Sequence, residues 1–281
     1  MLLIFSIGAI GNISNPGPAA LGPGTLGGGA IINKTKIEWT DYTWNPVIGC
    51  WGPGGTAEKP NRCSYCYAEK IARRFAPPKD YGGGWREKDP SPFAPTFHPE
   101  RLSEPAKVKK PSKIFVCSMA DLFGDWVPTL WIAAVLEQVY RNPHHTFQFL
   151  TKNPKRLEDF NPWPKNCWVG TTVTNQAAAD ERLPWLLRVD APVTFVSHEP
   201  LMGATDIRKA FIAVSGGGFA SWGKLKWGII GGMTGPGAVK PDPEWVMSLA
   251  DQYQKAGVPI FLKDNLGFSE QPQEWPDCGK P

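Results

Sequence analysis

The chain has 281 residues, of which 42% are hydrophobic and 20% are charged. These values are typical of a globular protein, and the length allows one large α/β barrel or two small domains with a sizeable core. A net charge of +4 permits an anionic partner such as nucleic acid but does not by itself indicate one. Six unevenly spaced cysteines are too few for a disulfide scaffold.

The amino-terminal stretch differs in composition from the rest of the chain. Residues 1–33 contain no charged side chain and are rich in glycine and proline. The apolar run Leu2–Ile10 lacks the basic segment of a secretory signal and is too short to span a bilayer. We therefore predict that residues 1–34 form a flexible Gly/Pro-rich leader, that the chain has no membrane association, and that the protein is cytoplasmic.

The predicted folded domain spans residues 35–267 and is followed by a tail at 268–281. A short strand at Val47–Ile48 is expected to lead into a cysteine loop, and the apolar spacing after this loop predicts a helix over Tyr67–Phe75. A Pro-rich insertion then occupies residues 77–111. It is too long for a plain connection, so we expect either a lid or a packed irregular arm.

After the insertion, apolar runs of strand length alternate with helical patterns. The predicted strands are Ile114–Ser118, Thr146–Leu150, Cys167–Thr172, Val193–Ser197, Trp227–Ile230 and Pro259–Leu262. The predicted helices are Leu130–Tyr140, Pro154–Phe160, Ala177–Val189 with a break near Pro184, and Pro243–Ala256. Uniformly apolar strands between helices indicate a parallel sheet covered by helices. With the strand before Cys50 there are about seven βα units, which predicts an α/β fold, either a partial or closed (β/α) barrel or, as the alternative, a doubly wound open sheet.

Each predicted strand ends in polar residues or glycine. These ends are Ser118–Asp121, Thr151–Asn153, Thr171–Asn175, Ser197–Glu199, Gly231–Gly232 and Lys263–Asn265. In a parallel barrel the carboxyl ends of the strands converge on one mouth, where active sites are built. Six such ends favour a functional site at this mouth over loops that are polar only because they face water.

Three cysteines, Cys50, Cys63 and Cys66, lie in one Gly/Pro-rich segment. A structural zinc site has four ligands, whereas an iron–sulfur cluster with one iron open to a small molecule is held by three thiolates. Zinc remains the alternative, with a histidine as the fourth ligand. The candidate histidines are His98, His144, His145 and His198, none at zinc-finger spacing. Cys117 and Cys167 lie in apolar runs and are predicted to be buried core thiols.

The segment Asn61-Arg-Cys63-Ser-Tyr65-Cys66 has an aromatic residue directly before its last cysteine. It resembles the cluster loop of the radical S-adenosylmethionine (SAM) enzymes, C-x-x-x-C-x-aromatic-C. The resemblance implies a radical SAM barrel in which Cys50, Cys63 and Cys66 hold a [4Fe–4S] cluster, SAM binds the fourth iron, and a separate electron donor is required. The chain departs from the motif because twelve residues separate Cys50 from Cys63 instead of three. Each doubling of loop length costs only about 0.6 kcal/mol, so three-cysteine ligation remains physically possible.

A closer resemblance covers most of the chain, from Ile37 to Gly267. The segments that carry it are Ile37–Cys50, Cys63–Glu69, Ser118–Phe123, Leu150–Pro154, Ser197–Leu201, Ile230–Gly237 and Gly257–Lys263. They resemble an uncharacterised family found in phages, prophages and microbes that is regarded as radical-SAM-like. The chain differs from this family at His198, where many members have cysteine, and at Met233-Thr234, where Glu-Ser is frequent.

The resemblance implies roles for residues at the strand ends. Glu199 and Lys263 are predicted to be catalytic, because a carboxylate and an amine can pair with the amino and carboxylate groups of SAM or a substrate; a salt bridge between them is the alternative. The residues predicted to bind the cofactor are Tyr65, Ser118, Glu199, Gly231 and Gly232. The predicted function is reductive cleavage of SAM to start radical chemistry on an unknown substrate, with nucleic acid as one candidate. The alternative is a non-catalytic zinc or iron–sulfur module that recruits nucleic acid or a protein partner.

Overall fold

The computed structural model describes residues 32–75, 91–209, 223–235, 237–269 and 271–277. Most of the predicted leader, much of the predicted Pro-rich insertion and the end of the predicted tail lie outside these residues. Within the described residues, no helix combines the length and apolar character needed to cross a membrane.

The secondary structure alternates between strands and helices from residue 113 onwards. The strands are β1 (Asn33–Lys34), β2 (Tyr42–Trp44), β3 (Val47–Ile48), β4 (Thr96–Phe97), β5 (Lys113–Val116), β6 (Thr146–Thr151), β7 (Cys167–Thr172), β8 (Val193–His198), β9 (Leu225–Ile230) and β10 (Ile260–Leu262). The α-helices are α1 (Tyr67–Phe75), α2 (Thr129–Arg141), α3 (Gln176–Leu186) and α4 (Pro243–Lys255), and a long 3₁₀ turn covers Pro154–Phe160. The six strands predicted after residue 111 are therefore confirmed, each within two residues at either end.

Eight strands form a single sheet in the order β1-β2-β5-β6-β7-β8-β9-β10. The seven strands from β2 to β10 in this order are parallel, and only β1 is antiparallel, to β2. The result is an α/β fold with a mostly parallel sheet. In the described part of the chain β10 does not pair with β2, so the closed form of the predicted barrel is not observed. The reason is that β1 occupies the edge of β2 to which β10 would have to bond.

Two local predictions are also corrected. The strand Val47–Ile48, expected to be the first strand of the main sheet, pairs instead with β4 in a separate two-stranded sheet. The first parallel strand is β2, which lies just before it. The helix expected to break near Pro184 continues through this residue to Leu186. Because Pro184 lies in the last turn, its missing N–H removes a hydrogen bond where the helix is about to end.

Side chains along the parallel strands alternate between two faces. Those on the outer face, such as Val116, Phe149 and Val169, pack against the helices. The inner face carries a group that we call the inner aromatic cluster, consisting of Trp39, Phe115, Trp168, Phe195, Trp227 and Phe261. Its ring centroids lie 4.8 Å apart for Trp39–Phe115 and 5.7 Å apart for Phe195–Trp227. Burial of each such side chain stabilises the fold by about 1.5–3 kcal/mol.

The segment after β10, which the sequence predicted as a tail, packs on this cluster over residues 271–277. Trp275 stacks on Trp227 with ring centroids 5.2 Å apart. The indole N–H of Trp227 donates to the Glu274 carbonyl at 2.8 Å, and Gln273 forms an antiparallel bridge with Phe261. This segment therefore covers the amino-terminal half of the inner face and leaves the carboxyl-terminal half available for a site.

Candidate functional site

A cavity of about 460 Å³ lies at the carboxyl ends of the parallel strands, on the inner face of the sheet. Almost all of the predicted site residues line it, although they come from distant parts of the sequence. Those that line the cavity are Cys50, Cys63, Tyr65, Cys66, Ser118, Glu199, Gly232 and Lys263. Gly231 is the exception and lies just behind the lining.

The three cysteines reach the cavity from a loop that follows β2 and β3 and precedes α1. Cys63 and Cys66 form a turn closed by a hydrogen bond from the Cys66 amide to the Cys63 carbonyl at 3.0 Å, and α1 begins directly after it. Gly49, directly before Cys50, has a φ of +85°, and a Cβ at Gly49 would lie 2.3 Å from the Ala94 carbonyl oxygen. A glycine is therefore required next to Cys50.

The long gap between Cys50 and Cys63 is closed by backbone hydrogen bonds. The Asn61 amide donates to the Trp51 carbonyl at 2.6 Å, so the residues between them form a loop whose two ends are hydrogen-bonded to each other. Arg62 then donates from Nε to the Cys50 carbonyl at 2.9 Å. The departure from the radical SAM spacing therefore does not separate Cys50 from the Cys63–Cys66 pair, because both ends of the gap return to the same wall of the cavity.

The three cysteines of this loop are partly buried. Burial, reinforced by the nearby Asp121 carboxylate, raises the pKa of Cys50 to about 12, and burial also raises the pKa of Cys66. Two of the sulfurs accept backbone N–H groups: the Gly52 amide lies 3.2 Å from Cys50 Sγ, and the Glu69 amide lies 3.4 Å from Cys66 Sγ. Such hydrogen bonds stabilise a thiolate once a metal displaces its proton.

Lys152, at the end of β6, places a positive charge beside these thiols. Burial alone lowers the pKa of Lys152, but Tyr65, Cys63 and Asp121 outweigh it and raise that pKa above its ordinary value. Its Nζ lies 5.8 Å from the centre of the Tyr65 ring. No carboxylate of the described residues lies within salt-bridge distance of this ammonium. A cation enclosed in a cavity without a partner indicates a place for an anionic ligand group.

The fit of these residues to a metal depends on which metal is considered. Within the described ranges, no group of three or more His, Cys, Asp and Glu side chains is already arranged around a metal position. None of the four candidate histidines lines the cavity. His198, for example, is fully buried and hydrogen-bonded to the Tyr253 hydroxyl at 2.9 Å and to the Val173 carbonyl at 3.0 Å. The structure thus does not bring a histidine to the cysteines as a fourth zinc ligand.

In donor type, the three thiols of this loop match an iron–sulfur cluster with three protein ligands better than they match zinc. They line one cavity together with Cys117, two of the three receive N–H donors, and Lys152 would offset part of the negative charge that three thiolates would create. Burial and hydrogen bonds to sulfur are the features by which proteins tune such clusters.

The opposite wall of the cavity contains the ion pair between Lys263 Nζ and Glu199 Oε1. The predicted alternative for these two residues, a salt bridge, is therefore present. Lys263 is only 6% exposed, and a second carboxylate, Glu38, lies 3.8 Å from its Nζ. A Cβ on Gly231 would lie 2.9 Å from Lys263 Cδ and 3.3 Å from Glu199 Cγ. Gly231 thus provides room for the ion pair rather than a surface of the cavity.

Side-chain hydrogen bonds tie consecutive strand ends together around the cavity. Asn45, after β2, accepts from the Met119 amide at 2.9 Å. Asp121, after β5, accepts from the Thr151 hydroxyl at 2.6 Å and from the Lys152 amide at 2.8 Å. Asn265, after β10, accepts from the Gly232 amide at 3.0 Å and donates to its carbonyl at 2.9 Å. These bonds hold the mouth in place where the backbone ladder has ended.

Sequence reasoning missed two residues of this site. Lys152 was only one of several polar residues at strand ends, and a lysine there is as readily explained by exposure to water. Glu38 precedes the first parallel strand, so nothing in the sequence pattern connects it with Lys263. Only a predicted contact between the amino-terminal segment and the end of β10 would have found it.

Comparison with known proteins establishes the family. The chain belongs to the family described as protein of unknown function (DUF5131), whose model matches residues 34–275. No curated protein matches the sequence. The match therefore identifies the chain's relatives without assigning an activity to it.

Solved structures of one enzyme share the fold. Spore photoproduct lyase complexed with dinucleoside spore photoproduct is similar to this chain with a TM-score of 0.50, at 10% identity over 83% of this chain and 79% of the lyase. A mutant of the lyase with the same dinucleoside gives 0.51 at 11% identity with the same coverage, and a second mutant gives 0.51 at 10% identity over 82% and 78%. At these identities the similarity shows the fold alone.

Proposed function

We propose that this protein is an iron–sulfur enzyme of the radical SAM type. The observation that carries the proposal is the position of three thiols in the loop between the first parallel strand and α1, on the wall of a cavity at the carboxyl ends of the strands. Cys50, Cys63 and Cys66 would hold a [4Fe–4S] cluster. When bound, such a cluster supplies the electron that cleaves SAM and produces a carbon radical. An external electron donor is required.

Different residues of the cavity lining would bind different polar groups of SAM. Lys152, beside the thiols and with no salt-bridge partner among the described residues, is suited to hold the SAM carboxylate. Glu199 and Lys263, on the opposite wall, offer an acceptor and a donor to the other polar groups of SAM. Tyr65 contacts both sides of this arrangement, through a hydrogen bond with Cys63 and through its ring, whose centre lies 5.8 Å from Lys152 Nζ.

The fold similarity to spore photoproduct lyase, a radical SAM enzyme, supports the reaction class. Because solved structures of that lyase contain a dinucleoside and this chain carries a net charge of +4, nucleic acid is the substrate class that we propose to test first.

The test is anaerobic purification of the full chain, reconstitution with iron and sulfide, and addition of SAM with a strong reductant. We expect cluster absorbance, a change in the reduced EPR signal when SAM is added, and formation of 5′-deoxyadenosine. Stoichiometric zinc in the isolated protein, together with no SAM cleavage after reconstitution, would overturn the proposal in favour of a non-catalytic metal-binding module.

A further inference from the structure

The loop between β1 and β2 meets the carboxyl end of β10 beside the cavity, and we call this junction the seam. In the described part of the chain, β2 is flanked by β1, and the outer edge of β10 bonds to the segment after it: the Leu262 amide donates to the Pro272 carbonyl and the Glu274 amide donates to the Ile260 carbonyl, both at 2.8 Å. The loop that joins β1 to β2 lies at this seam. We call residues 35–39 of this loop the strap; all five of them line the cavity.

The strap is anchored from below by Trp39. The Trp39 side chain is 2% exposed and packs on Phe115 and Phe195 of the inner aromatic cluster. The Trp39 backbone carbonyl accepts from Gln148 Nε2 at 3.0 Å. Because Trp39 is held by the core, the residue before it has little freedom to move. Glu38 is therefore presented to the end of β10 by a rigid support.

Glu38 bonds across the seam with both of its oxygens. Oε2 accepts from the Asp264 amide at 2.9 Å, and Oε1 lies 3.8 Å from Lys263 Nζ. The Lys263 ammonium is thereby held between Glu38 on one side and Glu199 on the other. The side chain of Lys263 also passes over Gly231, where a Cβ would lie 2.9 Å from Lys263 Cδ.

We infer that Glu38 is a positioning residue that acts through Lys263, so that the strap completes the wall of the cavity opposite the cysteines. The inference rests on the proposed function in one respect only, namely that Lys263 contacts SAM. Two carboxylates around one ammonium keep Lys263 from extending across the cavity towards the thiols. Removal of the Glu38 charge should free the Lys263 ammonium to move, while residues 35–39 of the strap stay in place.

Glu38→Gln is the informative variant, because its amide oxygen can still accept from the Asp264 amide. The first readout is trace labelling of amines with acetic anhydride in the full chain without cluster or SAM, measured by mass spectrometry for Lys263 relative to the exposed Lys255. We expect the labelling rate of Lys263 to rise about fivefold, as for the loss of one partly screened ion pair. Glu38→Asp should recover most of the protection. Glu137→Gln, which removes the surface pair with Arg141, is the matched control and should leave Lys263 unchanged.

The second readout is 5′-deoxyadenosine formation by the reconstituted protein. Glu38→Gln should raise the KM for SAM about fivefold and leave kcat within about twofold, with recovery in Glu38→Asp. If the labelling rate of Lys263 is unchanged in Glu38→Gln, whether or not Tm falls, the inference is overturned and Glu38 has a structural role only. If the wild-type chain forms no 5′-deoxyadenosine while labelling changes as expected, the proposed function fails but the positioning of Lys263 by Glu38 stands.

Discussion

The two halves of the inner face of the sheet have opposite chemistry. The amino-terminal half is filled by the inner aromatic cluster and closed by Trp275, whereas the carboxyl-terminal half surrounds a cavity lined by thiols, carboxylates and lysines. Both halves are built from the same strands, a few residues apart. The comparison shows that each strand contributes stability at one end and chemistry at the other.

The two halves are also held together differently. Aromatic side chains in the first half contact each other at 4.8–6.4 Å between ring centroids. In the second half, single side chains such as Asn45, Asp121 and Asn265 tie neighbouring strand ends by hydrogen bonds. Burial of a charge among apolar side chains is costly, and the inner aromatic cluster accordingly contains no ionisable side chain. Substitutions in the cavity half should therefore affect metal binding, and substitutions in the aromatic half should affect folding.

The largest effect is expected from Cys66→Ala, which removes a predicted ligand from the cavity half. Reconstituted protein should contain at least about tenfold less iron per chain and form no measurable 5′-deoxyadenosine, because two thiolates do not hold the cluster. Iron analysis and absorbance measure this outcome.

Cys167→Ala is the matched control for this variant. Cys167 is a fully buried thiol on β7, as predicted from its apolar surroundings, and does not line the cavity. Its removal should cost about 1–2 kcal/mol of stability and leave the iron content unchanged. Iron loss in Cys167→Ala but not in Cys66→Ala would show that the ligands were assigned to the wrong cysteines.

Trp227→Ala tests the opposite half. Trp227 has no exposed surface and contacts Trp168, Phe195 and Phe261. Its truncation should lower the free energy of unfolding of the metal-free chain by about 3–5 kcal/mol, measured by urea denaturation. Trp185→Ala, at a partly exposed position beside Arg188, should cost less than about 1 kcal/mol. Equal losses in the two variants would contradict the division of the inner face.

Lys152→Met should weaken ligand binding without weakening the fold. The KM for SAM should rise about tenfold, as expected for loss of one charge-assisted hydrogen bond, while stability changes by less than about 1 kcal/mol, because the ammonium makes no salt bridge with the described residues. Lys155→Met changes an exposed lysine three residues further on and should leave the KM unchanged. A loss of stability in Lys152→Met without a change in KM would show that the lysine has a structural role only.

The last effect depends on pH and concerns His198, which is fully buried. Burial lowers the pKa of His198 to about 3, well below the value of 6.5 for an unperturbed imidazole. The unfolded chain therefore binds the proton more readily, so this contribution to stability is complete above pH 6.5 and is lost as the pH falls towards 3. The free energy of unfolding should fall by about 1.4 kcal/mol per pH unit in this window from this group alone.

The comparison for His198 is made with His198→Gln and with the exposed His144→Gln. Urea denaturation between pH 7 and pH 4 should show a shallower pH dependence in His198→Gln than in wild type, while His144→Gln follows wild type. The same slope in all three proteins would contradict a neutral, buried His198.

Much of the fold was predictable because its determinants are local. Strands such as Cys167–Thr172 are buried on both faces, so they appear in the sequence as continuous apolar runs, and helices such as Tyr67–Phe75 have a one-sided apolar pattern. The position of Cys63, Tyr65 and Cys66 on the lining of one cavity was predictable for a similar reason, since these residues are close in sequence.

The rest was decided by contacts between residues far apart in the chain. Whether the sheet closes depends on which strand pairs with the free edge of β2. Strand β1 takes that edge, but it is only two residues long and has no apolar pattern from which it could be predicted. The pairing of Glu38 with Lys263 depends on where the strap crosses the seam. The sequence by itself determined the strands, the helices and the thiols, because periodicity and spacing are local properties. Tertiary structure alone decided the open sheet, the two carboxylates beside Lys263 and the position of Lys152 near the thiols, because each depends on packing between distant segments.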